Sequence, residues 1–199
     1  FNGFNGPVGM ELHGSSSATF WQQSFSFETR DDNGDDLDAP LLGMSPGADW
    51  VLHGPFSDKS LLRNALSYAL ADEASESFVP HARFCEVILN GSYLGVYTLV
   101  EKIKRGPDRV DVAKLRKSDL QGDALTGGYI IKVDRKDAPG WASPNRPAGG
   151  GTVYFNYVYP KADDIQPAQA AYIQAYVDSF ETALLRPDFA DPASGWRRL

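Results

Sequence analysis

Three stretches of this 199-residue chain hold residue types that could handle an anion. Gly14-Ser15-Ser16-Ser17 joins two extended runs, so its backbone N–H groups and hydroxyls make either an anion-binding nest or a solvated turn. Lys59 falls in the first turn of a helix that Ser57 or Asp58 caps and that runs to about Asp72. The helix dipole favours anions there, so the cation is either simply solvated or helps the N-terminus hold an external phosphate. Glu101, Lys102, Lys104 and Arg105 gather at the exit of a hairpin, where they would wall a site.

Other chemistries lack their residues. His13, His53 and His81 are scattered, and one cysteine, Cys85, gives a zinc site nothing to build on. Cys85 sits among apolar neighbours and reads as a small buried hydrophobe. Ser15 to Ser17 lack the Gly-x-Ser-x-Gly elbow of a hydrolase, and no Gly-Lys-Ser/Thr follows as in a phosphate-binding loop. The acidic 30–38 region lacks the twelve-residue calcium spacing and reads as a solvated loop. A net charge of −7 and a pI near 4.9 argue against nucleic acid as the main partner. No apolar run reaches eighteen residues, so a membrane span is not expected. No signal peptide is visible, and Phe1 leaves a missing leader open.

The elements that would position these groups follow from periodicity. Met10 to His13 and Ser24 to Thr29 read as strands around the serine turn; in the second, Phe25 and Phe27 alternate with Ser24, Ser26 and Glu28. Asp49 to Leu52 is a third strand. Leu61, Leu62, Ala65, Leu66, Ala69 and Leu70 stripe the helix that follows. Residues 83–104 form a hairpin about Asn90-Gly91, a type I′ turn signal. A two-residue loop sets Val87 opposite Leu94, Cys85 opposite Val96 and Phe84 opposite Tyr97, with both faces covered. Asn90-Gly91-Ser92 also spells a glycosylation sequon, but the turn accounts for it. Gly127 to Asp134, apolar over Tyr129 to Ile131, and Thr152 to Tyr159 are strands separated by a Pro/Gly/Ala-rich loop over 135–151. A helix spans Ile165 to Leu185 with Pro167 in its first turn and Ile173, Tyr176, Val177, Phe180 and Leu184 on one face. The fold class is α+β, one domain over 1–199, and the order strand, small-residue turn, strand, strand, helix, hairpin is that of a protein kinase N-lobe.

Several blocks carry a resemblance more specific than this order. Gly9-Met-Glu-Leu-His-Gly-Ser-Ser-Ser17, Phe27-Glu-Thr-Arg-Asp31, Asp49-Trp-Val-Leu52 and Asp58-Lys-Ser-Leu-Leu-Arg-Asn64 are similar to the CotH family of spore coat protein H kinase-like proteins. So are Asn90-Gly-Ser-Tyr-Leu-Gly-Val-Tyr97, Glu101-Lys-Ile-Lys-Arg105 and Gly127-Gly-Tyr-Ile-Ile-Lys-Val-Asp134. The resemblance implies an atypical kinase fold, with 9–134 as its N-lobe-like core, that binds ATP with Mg²⁺. It implies phosphorylation of Ser on secreted or surface proteins, hence an extracellular or cell-surface location and a protein substrate or surface partner. By kinase analogy Ser15, Ser16 and Ser17 would cover the phosphates, Lys59 and Arg63 would supply charge, and Glu101 with Lys102 would border the nucleotide.

Two departures temper this. The family's Pro-Lys-Lys after the serine turn is Trp21-Gln22-Gln23 here, and glutamine brings no charge. The family's metal-binding and catalytic aspartates belong to a segment later than Leu199, so the catalytic residues are unknown and residues 1–199 alone are expected to be inactive. A non-catalytic surface binding or adhesion module of the same fold is the second reading. Carbohydrate binding through Trp21, Trp50 and Trp141 ranks third, because core packing accounts for most aromatics.

Overall fold

The computed structural model describes residues 3–145 and 149–196, and the chain divides into two compact units, 1–111 and 112–199. The first unit is a five-stranded antiparallel sheet of β1 (Val8–His13), β2 (Ser24–Thr29), β3 (Asp49–His53), β4 (Ala82–Leu89) and β5 (Ser92–Glu101). Its order is β1-β2-β3-β5-β4, and helix α1 (Arg63–Ala74) intervenes between β3 and β4. Alternation along each strand sends two sets of side chains to opposite faces. Trp50, Leu52, Tyr97 and Leu99 point to one face and bury against Met44, with Phe25, Phe27 and Leu41 packed around them. Cys85 joins this cluster, and burial pushes its thiol pKa up, as a small apolar residue requires.

The hairpin turns at Asn90-Gly91, both at positive φ, as the sequence predicts. Its register holds only near the turn, where Leu89 pairs with Ser92 and Ile88 with Tyr93. A bulge between Val87 and Ile88 then moves every later pair by one, so Cys85 meets Tyr97 and Phe84 meets Thr98. Gly95, at φ +106°, supplies the conformation that absorbs the extra residue. Nor are both faces covered: Phe84, Ile88 and Tyr93 are exposed.

The helix also starts later than the capping residues suggest. Leu61 adopts φ +61°, which breaks right-handed helix before Arg63. Asp58 still serves the first turn from outside it, one oxygen accepting from Ser60 N–H and the other from Arg63 N–H at 2.8 Å. The leucine stripe is not buried; Leu62, Leu66 and Leu70 stay exposed, and no residue of α1 is buried.

The second unit has a three-stranded antiparallel sheet of β6 (Ile130–Asp134), β7 (Gly140–Ala142) and β8 (Tyr154–Tyr159), in the order β6-β8-β7. β7 lies inside the 135–151 stretch expected to be loop; Gly140 makes it feasible, since a Cβ there would stand 1.9 Å from Phe155 O. A short α2 (Asp123–Thr126) precedes β6, and α3 (Pro167–Leu185) closes the unit with Pro167 in its first turn. Ile173 and Val177 of α3 bury against Phe155, while Tyr176 and Leu184 of the expected face stay exposed. Gln169 is buried at the helix start, accepting from Gln166 N–H and donating to Arg116 O.

Candidate functional site

The second face of the five-stranded sheet is polar, and pairing register sorts its side chains into rows. At one end Gly9, Glu28, Asp49 and Lys102 line up across β1, β2, β3 and the exit of β5. The middle row is Glu11, Ser26, Val51 and Val100. The far row is His13, Ser24, His53 and Thr98, next to the serine turn. Ser24, Ser26 and Thr98 are buried, so small side chains form the floor between two rows of larger groups.

The charged end is a cavity of about 310 Å³ lined by Gly9, Glu11, Ser26, Glu28, Arg30 and Lys102. Arg30 lies flat across β1, where a Cβ on Gly9 would stand 2.6 Å from its guanidinium. Its Nη2 donates to Glu28 at 3.1 Å, and Ser26 Oγ donates to Glu11 at 3.1 Å. Asp49 bridges Lys102, at 3.3 Å, and Lys104. Burial would raise the Asp49 pKa, but the two ammonium groups outweigh it and hold the carboxyl below its usual range. The cavity thus alternates donors and acceptors, most of them held by partners, while the buried Arg30 Nε has none.

At the opposite end His53 is half-buried, and its pKa is lowered by loss of hydration and then by the neighbouring His13, with Asp58 opposing. Gly54 N–H donates to Ser24 Oγ at 3.0 Å, fixing the exit of β3 beside the turn.

Of the residues singled out in the sequence, Lys102 alone among seven lines the cavity. Ser15 to Ser17 belong to a 3₁₀ turn over Ser16–Thr19, in which Ala18 N–H bonds Ser15 O and Phe20 N–H bonds Ser17 O. Lys59 folds back on its own loop, donating to Phe56 O with its ammonium 4.8 Å from that ring centroid. Arg63 is 81% exposed and stands 3.6 Å from Asp58. Glu101 faces the core side instead. Its carboxylate, wholly buried, meets Arg109 Nη1 at 3.0 Å and accepts from His81 N–H at 3.0 Å, with His81 Nδ1 at 2.9 Å from the same oxygen. Gln22 donates to Val96 O and Gln23 to Ala18 O, each at 2.8 Å, so both amides are turned to backbone. Trp50 is core, Trp141 stacks on Phe155, and Trp21 is exposed.

Glu11, Arg30, Glu28 and the His13/His53 row were not anticipated as site residues. Their signal is the period-two alternation Ser24, Ser26, Glu28 against Phe25, Phe27: its polar side lines a cleft and is not merely solvated.

A glycine-started turn between two strands, a third strand, a helix and a hairpin, folded on one antiparallel sheet, define an α+β, kinase-like unit. The chain belongs to the CotH kinase protein family, whose profile matches residues 10–195. No curated protein matches the chain. Among the described residues no helix is long and apolar enough to cross a membrane.

Proposed function

We propose that the polar sheet face binds ATP, as the nucleotide-binding portion of a CotH-type kinase that transfers phosphate to Ser of secreted or surface proteins. The observation that supports it best is the row pattern: a floor of Val51, Val100 and small hydroxyl residues suits a flat base, with polar groups at both ends for sugar and phosphates. Membership of a kinase-like family supports phosphoryl transfer as the reaction class, and an extracellular or surface location is part of the proposal. Magnesium is part of that chemistry, which depends on metal-held charge. Among the described residues, however, no three His, Cys, Asp or Glu side chains gather to hold a metal. No residue here is therefore assigned to it, and no step is derived through it.

Calorimetric titration of the chain with ATP and Mg²⁺ tests the reading, alongside Val51→Trp, which fills the floor. Saturable heat in the parent and its loss in a variant that still unfolds cooperatively is the expected result. Absence of heat, with no thermal shift on adding ATP, favours the second reading, a non-catalytic surface binding or adhesion module. The two glutamine amides tied to backbone carbonyls, where the family carries lysines, are what speaks for that module.

A further inference from the structure

We propose that the free edge of β1 pairs antiparallel with β1 of a second copy of this chain, forming a weak two-fold dimer in which the second copy's Glu11 meets Arg30. Nothing in this pairing requires the sheet face to hold a nucleotide. β1 closes one side of the five-stranded sheet. Its ladder to β2 runs through the odd residues: Arg30 N–H bonds Pro7 O, and the pairs Gly9↔Glu28 and Glu11↔Ser26 keep that phase. Val8, Met10 and Leu12 therefore turn their N–H and C=O groups to the open edge, where no hydrogen bond from the described residues reaches them. Their side chains share one face and are 45%, 41% and 55% exposed. An apolar row on an open backbone edge is a template for another strand.

Charge selects the strand and its register. A two-fold axis normal to the sheet keeps both copies' faces on the same side, so odd residues meet odd and even meet even. Centred on Gly9, the pairing sets Arg30 against its own copy; centred on Glu11, it sets two carboxylates opposite each other. Centred on Met10, it sets Val8 against Leu12 and Glu11 against Gly9. The three outward-facing residues of each strand then bond to one another, and the apolar row is doubled.

Gly9 is the position that Arg30 covers. Arg30 Nε and Nη2 lie 2.8 and 2.6 Å from where a Gly9 Cβ would stand, so the guanidinium takes the place of a side chain there. Nη2 donates to Glu28 at 3.1 Å, the buried Nε has no partner, and the side chain as a whole is 41% exposed. In the Met10-centred register Gly9 and the second copy's Glu11 form a non-hydrogen-bonded pair, in which Cα atoms stand about 4.5 Å apart and side chains approach closely. Glu11 gives one oxygen to Ser26 Oγ, which leaves the other for the guanidinium across the axis. Symmetry makes this contact twice, and each copy so contributes a carboxylate to the other's cavity.

Sedimentation velocity of the full chain from about 1 to 500 µM is the test, since one strand pair is a small interface and its dimer is weak. The average mass should climb with concentration from 21.8 kDa toward twice that value. M10P removes an outward N–H from each copy and leaves the β1–β2 ladder whole, so it should unfold cooperatively like the parent and associate at least about tenfold more weakly. E11R alone and R30E alone each set like charges face to face and should each lose about tenfold in association. Mixed together, these two variants restore opposite charges at both contacts and should associate as the parent does. A parent that stays monomeric over the whole range refutes the interface. So does a dimer that M10P leaves unchanged, which would use another surface. A mixture that associates no better than either charge variant alone refutes the Met10-centred register and the Glu11–Arg30 contact with it.

Discussion

Arg109→Met tests the buried ion pair that ties residues 105–110 to the sheet. Arg109 and Glu101 are 5% and 2% exposed. Their 3.0 Å approach is off the N–H direction, so Glu101 Oε1 receives the charge without an aligned hydrogen bond. Arg109 also donates to Ser45 O at 3.1 Å and sits 5.5 Å from the Trp50 ring centroid. Removing it leaves the buried Glu101 carboxylate with His81 on one oxygen and no arginine on the other, which costs about 3–5 kcal/mol. The lost cation–π contact adds about 0.5–2 kcal/mol. A total of about 3.5–7 kcal/mol would consume much of the ~5–15 kcal/mol that holds a domain folded. Adding Glu101→Leu removes the stranded charge, so the double variant should recover to within about 2 kcal/mol of the parent. Urea unfolding followed by circular dichroism reads the energies, and amide exchange at Trp50 and Leu99 confines the effect to the first unit. A single variant within about 1 kcal/mol of the parent would refute the reasoning. So would a double variant no more stable than the single.

Gly128→Ala should cost about 2–4 kcal/mol, because Gly128 has φ +85° and a Cβ would stand 2.2 Å from Ala113 O. Gly34→Ala, at φ +87° with nothing within 4 Å, should cost only the backbone strain of about 1–2 kcal/mol; thermal unfolding compares the two. Leu66→Gln, at a site 56% exposed, should shift stability of this chain by no more than about 0.5 kcal/mol in urea unfolding. Acid titration followed by circular dichroism should show two losses. His53, neutral in the fold, contributes stability above its unfolded pKa of 6.5 that fades as pH falls below it. Asp49, held low by Lys104 and Lys102 against its own burial, contributes stability above 3.8 that is lost as pH falls through its folded value, and Asp49→Asn should flatten that limb.

What the sequence makes legible here is local: strands whose alternation is strict, the Asn90-Gly91 turn, Pro167 in the first turn of α3, and the α+β class. The residues it misplaces were decided by conformations that periodicity does not encode. Gly95 takes up an extra residue and slips the hairpin register by one, which exchanges the faces of every side chain beyond it. Leu61 at positive φ moves the helix start away from Asp58, although Asp58 still satisfies Arg63 N–H. Glu101 and Lys102 looked equivalent at the hairpin exit, yet adjacent strand residues face opposite sides. One therefore anchors Arg109 in the core and the other lines the cavity. The histidines looked scattered because a row across a sheet leaves no spacing along the chain.

This geometry bears on how a chain of net charge −7 would accept a polyanion. On the polar face the fixed charges nearly cancel: Glu11, Glu28 and Asp49 stand against Arg30, Lys102 and Lys104, and pairing ties most of them to one another. Such a cluster fixes the orientation of a ligand but offers little net attraction, since each cation is already committed to a carboxylate.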